Sequence, residues 1–368
     1  MSHMIGDIAF MSRNAGGARP LPDASLSGLQ ACWLAAGCCL RRFEARLRWL
    51  LLAMASLTAL AGCQPPPLPP LMVGLNPWIG YDPLVLAREQ GQTNPARVKV
   101  VELSTNAEKL RHFRNGLLDA VAMTLDQTLQ LAEEGMDLRI VAVLDTSAGA
   151  DVVMASPQLS SPQDLRGRRI AVEPSSVGQL MLRRMLDSAG MTLADVTVLP
   201  IETSHQLAAL QAGRIAAAVS YDPPAAQLRS AGFVPVFDSG QMAGEILDVL
   251  VVRAEVLASR PADVEALLRA WNDGLASLES DGAGAAAKLA PSVGLSSSDY
   301  LQTLSGLRFF SPADSLAHLS GSPAPLRVEG ERLAAALQAM QLLHRTPDWD
   351  RLHDAGPAAR ALRAQNTP

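Results

Sequence analysis

The chain has 368 residues, 48% of them hydrophobic, and its 31 basic and 36 acidic side chains leave a net charge of −5. That length is large for a single core and suits two lobes, and the acidic balance argues against a surface built to hold nucleic-acid phosphates. Residues 1–40 show no amphipathic period and precede a basic segment, as expected of an unstructured extension or an over-long start.

The first informative segment is 41–62. Arg41, Arg42, Arg46 and Arg48 lead into the apolar run Trp49 to Leu60, followed by Leu60-Ala61-Gly62-Cys63. A charged leader, about 12 apolar residues and small residues at the end describe a secretory signal, because about 20 apolar residues are needed to span a bilayer. The last four residues resemble the lipobox of bacterial lipoproteins, which implies a lipidated Cys63 as the new N-terminus. Gln64-Pro65-Pro66-Pro67-Leu68-Pro69-Pro70 then reads as an extended tether over 63–70. Cys32, Cys38 and Cys39 precede the cleavage point, so the mature part is expected to hold no disulfide and no cysteine-based zinc site. Residues 1–62 hold 6 basic and 3 acidic residues, leaving 25 against 33, a net −8, downstream.

From Leu71 onward, short apolar runs bounded by turn residues alternate with helical patterns. Strands are expected at Leu71 to Leu75, Val98 to Leu103, Ala120 to Thr124, Arg139 to Leu144 and Asp151 to Ala155. Five more are expected at Arg169 to Glu173, Val196 to Ile201, Ala216 to Ser220, Val234 to Phe237 and Leu247 to Arg253. Helices fall between them, among them Pro83 to Gln90, Ala107 to Asn115, Val177 to Ala189 and Gln206 to Ala212. The alternation predicts an α/β protein with mostly parallel sheets. After Val256 the strands are expected to stop, leaving helices over Ala262 to Leu278 and Glu329 to Leu343, a loop over Ser311 to Pro325, and a weakly patterned tail.

Two stretches echo each other. Leu110 to Asp126 and Leu207 to Asp222 each read as a helix closed by glycine (Gly116, Gly213), an apolar strand, then a hydroxyl residue and an aspartate. Two of the three tyrosines also share a setting, Gly80-Tyr81-Asp82-Pro83 and Ser220-Tyr221-Asp222-Pro223. Aspartate before proline suits a helix N-cap, and tyrosine at a strand end suits a ligand cleft, with Trp78 close by. Thr105, Ser176 and Thr203, each three residues before Glu or Gln, read as capping boxes. The helix after Ser175-Ser176 offers backbone donors to an anion.

Taken together, Asn76 to Gly91, Gly116-Leu117-Leu118-Asp119-Ala120, Asp145 to Asp151, Ser161 to Gly167 with Arg169 to Glu173, and Gly213 to Pro223 resemble the nitrate/sulfonate/taurine (NMT1/THI5-like) group of ABC-transporter substrate-binding proteins. Ala216 departs from the aspartate usual in the second Gly-x-x-Asp-Ala. The resemblance implies a periplasmic binding protein-like fold of class II, two α/β lobes joined by a two-strand hinge. Lobe 1 would start at 71–150, lobe 2 would cover 151–246, and 247–345 would return to lobe 1 with C-terminal helices before a tail at 346–368. Asp151 to Ala155 and Leu247 to Arg253 would cross the hinge.

The ligand site is then expected on strand-end loops. From the first lobe come Asn76, Trp78, Tyr81, Thr124, Asp126, Asp145 and Ser147; from the second come Ser175, Ser176, Tyr221 and Asp222. No cofactor, metal or nucleic acid is expected. The implied partners are a small-molecule ligand, the ABC permease and ATPase subunits, and the membrane, reached by a monomer through lipidated Cys63 and facing the periplasm. A receptor of the same fold feeding a signalling protein is the alternative. No Gly-x-Ser-x-Gly, His-Glu-x-x-His, Walker or Gly-x-Gly-x-x-Gly pattern supports an enzyme. Acids at Asp126, Asp145, Glu173 and Asp222, with no arginine among the candidate loops, favour a neutral, amidic or cationic ligand, whereas the helix N-termini favour an anion.

If Cys63 carries the anchor, Cys63→Ser leaves the signal uncleaved or releases the protein into the soluble fraction. Fractionation showing a processed variant still on membranes would rule the anchor out.

Overall fold

The computed structural model describes residues 48–50 and 68–365. The chain divides at Leu68 into two compact units; of the first only 48–50, which are helical, and Leu68 are described. Cys63 and most of the signal segment lie outside the described residues. The second unit is an α/β structure built on two mixed sheets, and among the described residues no helix is long and apolar enough to cross a membrane.

The first sheet contains β1 (Leu71–Leu75), β2 (Val98–Glu102), β3 (Ala120–Thr124), β4 (Leu138–Ser147), β10 (Leu247–Arg253) and β11 (Leu307–Phe309). The second contains β5 (Asp151–Ala155), β6 (Arg169–Val172), β7 (Thr197–Pro200), β8 (Ala217–Tyr221) and β9 (Val234–Asp238). Their orders are β11-β4-β10-β3-β1-β2 and β7-β6-β8-β5-β9. β1 runs parallel to β2 and β3, and β6 parallel to β7 and β8. β10 and β5 run antiparallel to both of their neighbours. Each sheet thus takes in one strand whose chain has just come from the other, which is the class II arrangement of periplasmic binding proteins. It also makes the sheets mixed rather than mostly parallel, since a strand arriving from the opposite lobe enters from the reverse end.

The chain passes between the sheets at 148–150 and 239–246; β5 and β10, expected as the crossings, are the first strands after them. A serine network ties the two passages together. Ser147 Oγ and Ser239 Oγ are 2.7 Å apart, Gly149 N–H donates to Ser239 Oγ at 2.7 Å, and Asp151 N–H donates to Ser147 Oγ at 3.0 Å. Both serines are buried, so these backbone donors are satisfied where the ladder is interrupted.

The echoing stretches occupy equivalent places. Gly116 and Gly213 have φ of 74° and 65°, the left-handed conformation that glycine adopts without a Cβ penalty. Leu117 N–H returns to His112 O and Arg214 N–H to Ala209 O, both at 3.0 Å, closing the helices. The strands that follow, β3 and β8, each lie third in space from the parallel edge of their sheet, β2 and β7 respectively. Asp119 Oδ2 accepts from Met72 N–H at 2.7 Å, a tie between β3 and β1 that Ala216 cannot supply in the other sheet.

Three expectations for the C-terminal part are corrected. Strands do not stop at Val256: β11 adds an edge to the first sheet. Ser311 to Pro325 is not simply a loop, because Ser311 caps a helix, Pro312–Leu319, with its side chain accepting from Asp314 N–H at 3.1 Å. The terminal Ala/Arg-rich segment forms the helix Gly356–Gln365, which packs on the helix Pro261–Ser280 with Ala361 fully buried. Alanine and arginine carry little periodic signal, so only the neighbouring helix reveals this face.

The helix Pro261–Ser280 also packs on Asp82–Glu89, the helix that follows the Trp78–Tyr81 loop. The contact needs glycine: a Cβ on Gly274 would come within 1.8 Å of the carbonyl oxygen of Pro83. Gly274→Ala should therefore lower stability by about 1–3 kcal/mol through overpacking against backbone. A melting temperature equal to the parent's would show that the helices separate freely.

Candidate functional site

The site forms where the strand ends of the two sheets meet. Its cavity has a volume of about 40 Å³ and is lined by Asn76, Trp78, Tyr81, Asn106, Thr124 and Gln127 from the first-sheet side, with Asp248 from β10. Asp151 at the start of β5, Glu173 after β6, Val177 and Tyr221 at the end of β8 complete it. Five expected residues, Asn76, Trp78, Tyr81, Thr124 and Tyr221, line this cavity. The Trp78 and Tyr221 rings meet across it edge to face, 5.8 Å between centroids at 71°.

The other expected residues sit around it. Ser176 Oγ donates to Asp126 Oδ2, a buried hydrogen bond from the second-sheet side to the first. Ser147 belongs to the hinge network. Ser175, rather than Ser176, is the N-cap of the helix Ser176–Ser188 and accepts from Gly178 N–H at 3.2 Å. Of the three expected capping boxes only Thr105 caps its helix. Thr203 instead donates to Glu173 Oε2 at 3.1 Å, and Gln206 donates to Val219 O at 2.8 Å. Capping boxes do form at Ser161/Asp164 and Thr192/Asp195, with aspartate in the third position.

Neither expected aspartate cap survives. Asp222 lies one residue before the N-cap Pro223, across a cis peptide bond, and its Oδ1 accepts from Arg229 at 2.7 Å. Asp82 is already the first helical residue, and its Oδ2 accepts from the Tyr300 hydroxyl. Burial pushes Asp82 up to about 7, against the opposing effect of that hydroxyl.

Acidity is the site's dominant feature. Asp145 and Asp248 face each other directly across β4 and β10, both fully buried, and like charges so placed repel. Tyr81 Oη donates to Asp248 Oδ1 at 2.5 Å, while Asp248 Oδ2 and both Asp145 oxygens have no hydrogen-bond partner. Burial first and the opposing Asp248 second hold Asp145 well above the usual carboxylate range. Burial pushes Asp248 up to about 7 and Asp151 up to about 8. Burial also raises Asp126 and Glu173.

One buried base answers them. Lys109 is fully buried, donates to Asn76 Oδ1 and, at 2.6 Å, to Ala122 O, and lies 5.4 Å from the Tyr81 ring centre. Desolvation lowers it to about 7 despite the carboxylates nearby. The packing is close enough that Gly80 is obligatory: a Cβ there would lie 2.3 Å from Trp78 Nε1 and 2.4 Å from Asp145 Oδ2. Asp151, Asp248, Lys109, Asn106, Gln127 and Val177 were not among the expected site residues. The signal for Asp151 and Asp248 was a charge inside an apolar strand, which is costly unless it has a purpose; the polar helix Asn106–Arg114 offered none for Lys109.

A family model described as the NMT1-like family matches residues 64–291. The chain belongs to the NMT1-like family. Solved structures share the fold of this NMT1-like chain at low identity. The alkanesulfonate-binding protein SsuA from Xanthomonas axonopodis pv. citri, bound to MOPS, is 20% identical with a TM-score of 0.64, covering 80% of this chain and 98% of that one. The periplasmic aliphatic sulphonate binding protein SsuA from Escherichia coli is 20% identical with a TM-score of 0.63, covering 77% and 91%. The desulfurization enzyme DSZB is 18% identical with a TM-score of 0.61, covering 80% and 99%. No curated protein sequence matches the chain.

The buried acids set a pH dependence. Each carboxyl raised by burial keeps its proton in the folded state after the unfolded chain, at about 4, has released it, so stability falls as pH rises toward the folded value. Carboxyls held low, such as Asp137 beside Arg139, titrate below that window, and Lys109 is protonated in both states until about 7. The melting temperature should therefore drop between pH 5 and 7, and less steeply in Asp145→Asn, where an amide faces Asp248. A parent protein whose melting temperature rises over that interval would contradict the assignment of these protons.

Proposed function

We propose that the chain is a solute-binding receptor of the cell envelope that closes two lobes over a small molecule and delivers it to an ABC importer. The observation that carries this reading is the cavity itself: both sheets contribute to its lining, and the Trp78–Tyr221 ring pair and the Ser176–Asp126 hydrogen bond span it. Such contacts exist only with the lobes together, so a ligand that favours them shifts the protein toward closure. The hinge passages at 148–150 and 239–246 are short segments able to take up that motion.

In this reading residues 71–150 and 247–345 form one lobe and 151–246 the other. Lipidated Cys63 holds the receptor at the membrane facing the periplasm, and the 63–70 tether, at about 3.1 Å per residue when extended, gives a reach of about 25 Å. Permease and ATPase subunits are then the partners, and no chemistry is done on the ligand. The chemistry of the cavity supports capture over catalysis. Among the described residues its lining has no serine, cysteine or histidine, so they offer no nucleophile–imidazole pair there.

A thermal-shift screen over sulfonates, nitrate, pyrimidines and amines tests the reading, since a ligand at 100 times its dissociation constant stabilises by about 2.7 kcal/mol. Trp78→Ala and Tyr221→Ala should each weaken the compound so found by about 1–3 kcal/mol through lost ring contact, as measured by titration calorimetry. Stabilisation by none of the four classes, or a hit indifferent to both substitutions, would overturn it.

A further inference from the structure

We infer that the cleft is built for a small organic cation, a protonated amine or quaternary ammonium group held among three aromatic rings and three carboxyls. The inference rests on the receptor reading and adds the ligand's charge to it. Trp78, Tyr81 and Tyr221 supply the rings, and Asp151, Glu173 and Asp248 the carboxyls. No lysine, arginine or histidine lines the cavity. An anion would meet no basic side chain in the lining and would lie next to carboxyls from both sheets.

The unpartnered polar atoms of the lining are one donor, Trp78 Nε1, and four oxygens, so the balance points the same way. Gln127, with 5% of its surface exposed, leaves Oε1 without a hydrogen bond, and Thr124, with 9%, leaves Oγ1 without one; both line the cavity. Asp151 and Asp248 each leave Oδ2 unpartnered as well. Buried acceptors without donors are costly, and a donor-bearing ligand satisfies them. Ring faces attract the same positive charge. A metal ion is the weaker fit, because among the described residues no three His, Cys, Asp or Glu side chains are arranged to hold one.

The charged groups packed around the cavity fix the pH behaviour. From the first-sheet side these are Lys109, Asp126, Asp145 and Asp248; from the second, Asp151, Glu173 and, farther out, Glu202 and the Asp222–Arg229 pair. An entering cation must displace protons from carboxyls that hold them near neutrality, with Asp248 at about 7 and Asp151 at about 8. Lys109, lowered to about 7, loses its charge over the same range. Cation binding therefore tightens as pH rises from 6 to 8, and anion binding would do the reverse.

The test is titration calorimetry on the folded chain with choline, ethanolamine and benzamidine as cations, and with isethionate and benzenesulfonate as anions of similar size. The expected result is saturable binding of at least one cation and neither sulfonate. Its affinity should rise by about tenfold or more from pH 6 to 8, the change a single competing carboxyl at about 7 produces. Glu173→Gln and Asp248→Asn should each weaken it by about tenfold. The parent's pH profile needs neither variant to fold. A sulfonate that binds, with affinity falling as pH rises, overturns the inference and leaves the receptor reading standing. Silence of all five probes also overturns it, while the wider screen with nitrate and pyrimidines decides the receptor reading separately.

Discussion

Each sheet of this protein is completed by a strand that the chain brings in from the other side. β10 lies between β3 and β4, and β5 between β8 and β9, so neither sheet closes until the chain has passed through both. The exchange requires two passages side by side, and the Ser147–Ser239 network satisfies the backbone donors left open there. It also decides where charge is placed. Asp151 opens β5 and Asp248 is the second residue of β10, so each incoming strand carries a carboxyl to the junction of the lobes just where it enters its sheet.

That placement works against stability in the empty protein. Asp145 and Asp248 stand opposite each other with three unpartnered oxygens, and Asp126, Asp151 and Glu173 add to the same region, where Lys109 is the one buried base among the described residues. A core selected only for stability would replace such a group by apolar residues at no loss. Such a group at the junction of two lobes marks a candidate functional site, since local rules fail mainly where function demands it. The surrounding structure accommodates the repulsion by keeping protons on the acids, and Gly80 packs where a side chain would collide with Trp78 and Asp145. The rings of Trp78, Tyr81 and Tyr221 shape the cavity that these acids line.

Kinship sets the fold but leaves the ligand open. Solved structures of similar architecture include sulfonate binders and a desulfurization enzyme, at 18–20% identity, a range over which the backbone persists while cleft residues change freely. Within this chain the cleft chemistry is therefore read from its own side chains.

Much of this was determined by local sequence. Ten strands were legible as short apolar runs between turn residues: the inner ones are buried on both faces and have that composition whatever their partners, and the edge strands β2, β7 and β9 carry it though partly exposed. The glycines at 116 and 213 marked helix ends, and the shared setting of Tyr81 and Tyr221 marked strand-end loops, since backbone conformation at those points depends on neighbours in the chain. Tertiary structure decided what depends on residues far apart. It assigned Ser176 to Asp126, Thr203 to Glu173, Asp82 to Tyr300 and Asp222 to Arg229, in three of the four cases over 30 to 218 positions, where local spacing had suggested caps. It recruited Leu307–Phe309 and Gly356–Gln365 through neighbours that lend order to weak patterns. Above all it brought Asp145, Asp151 and Asp248 together, because burial and mutual repulsion belong to the assembled sheets and leave no trace in the spacing of residues along the chain.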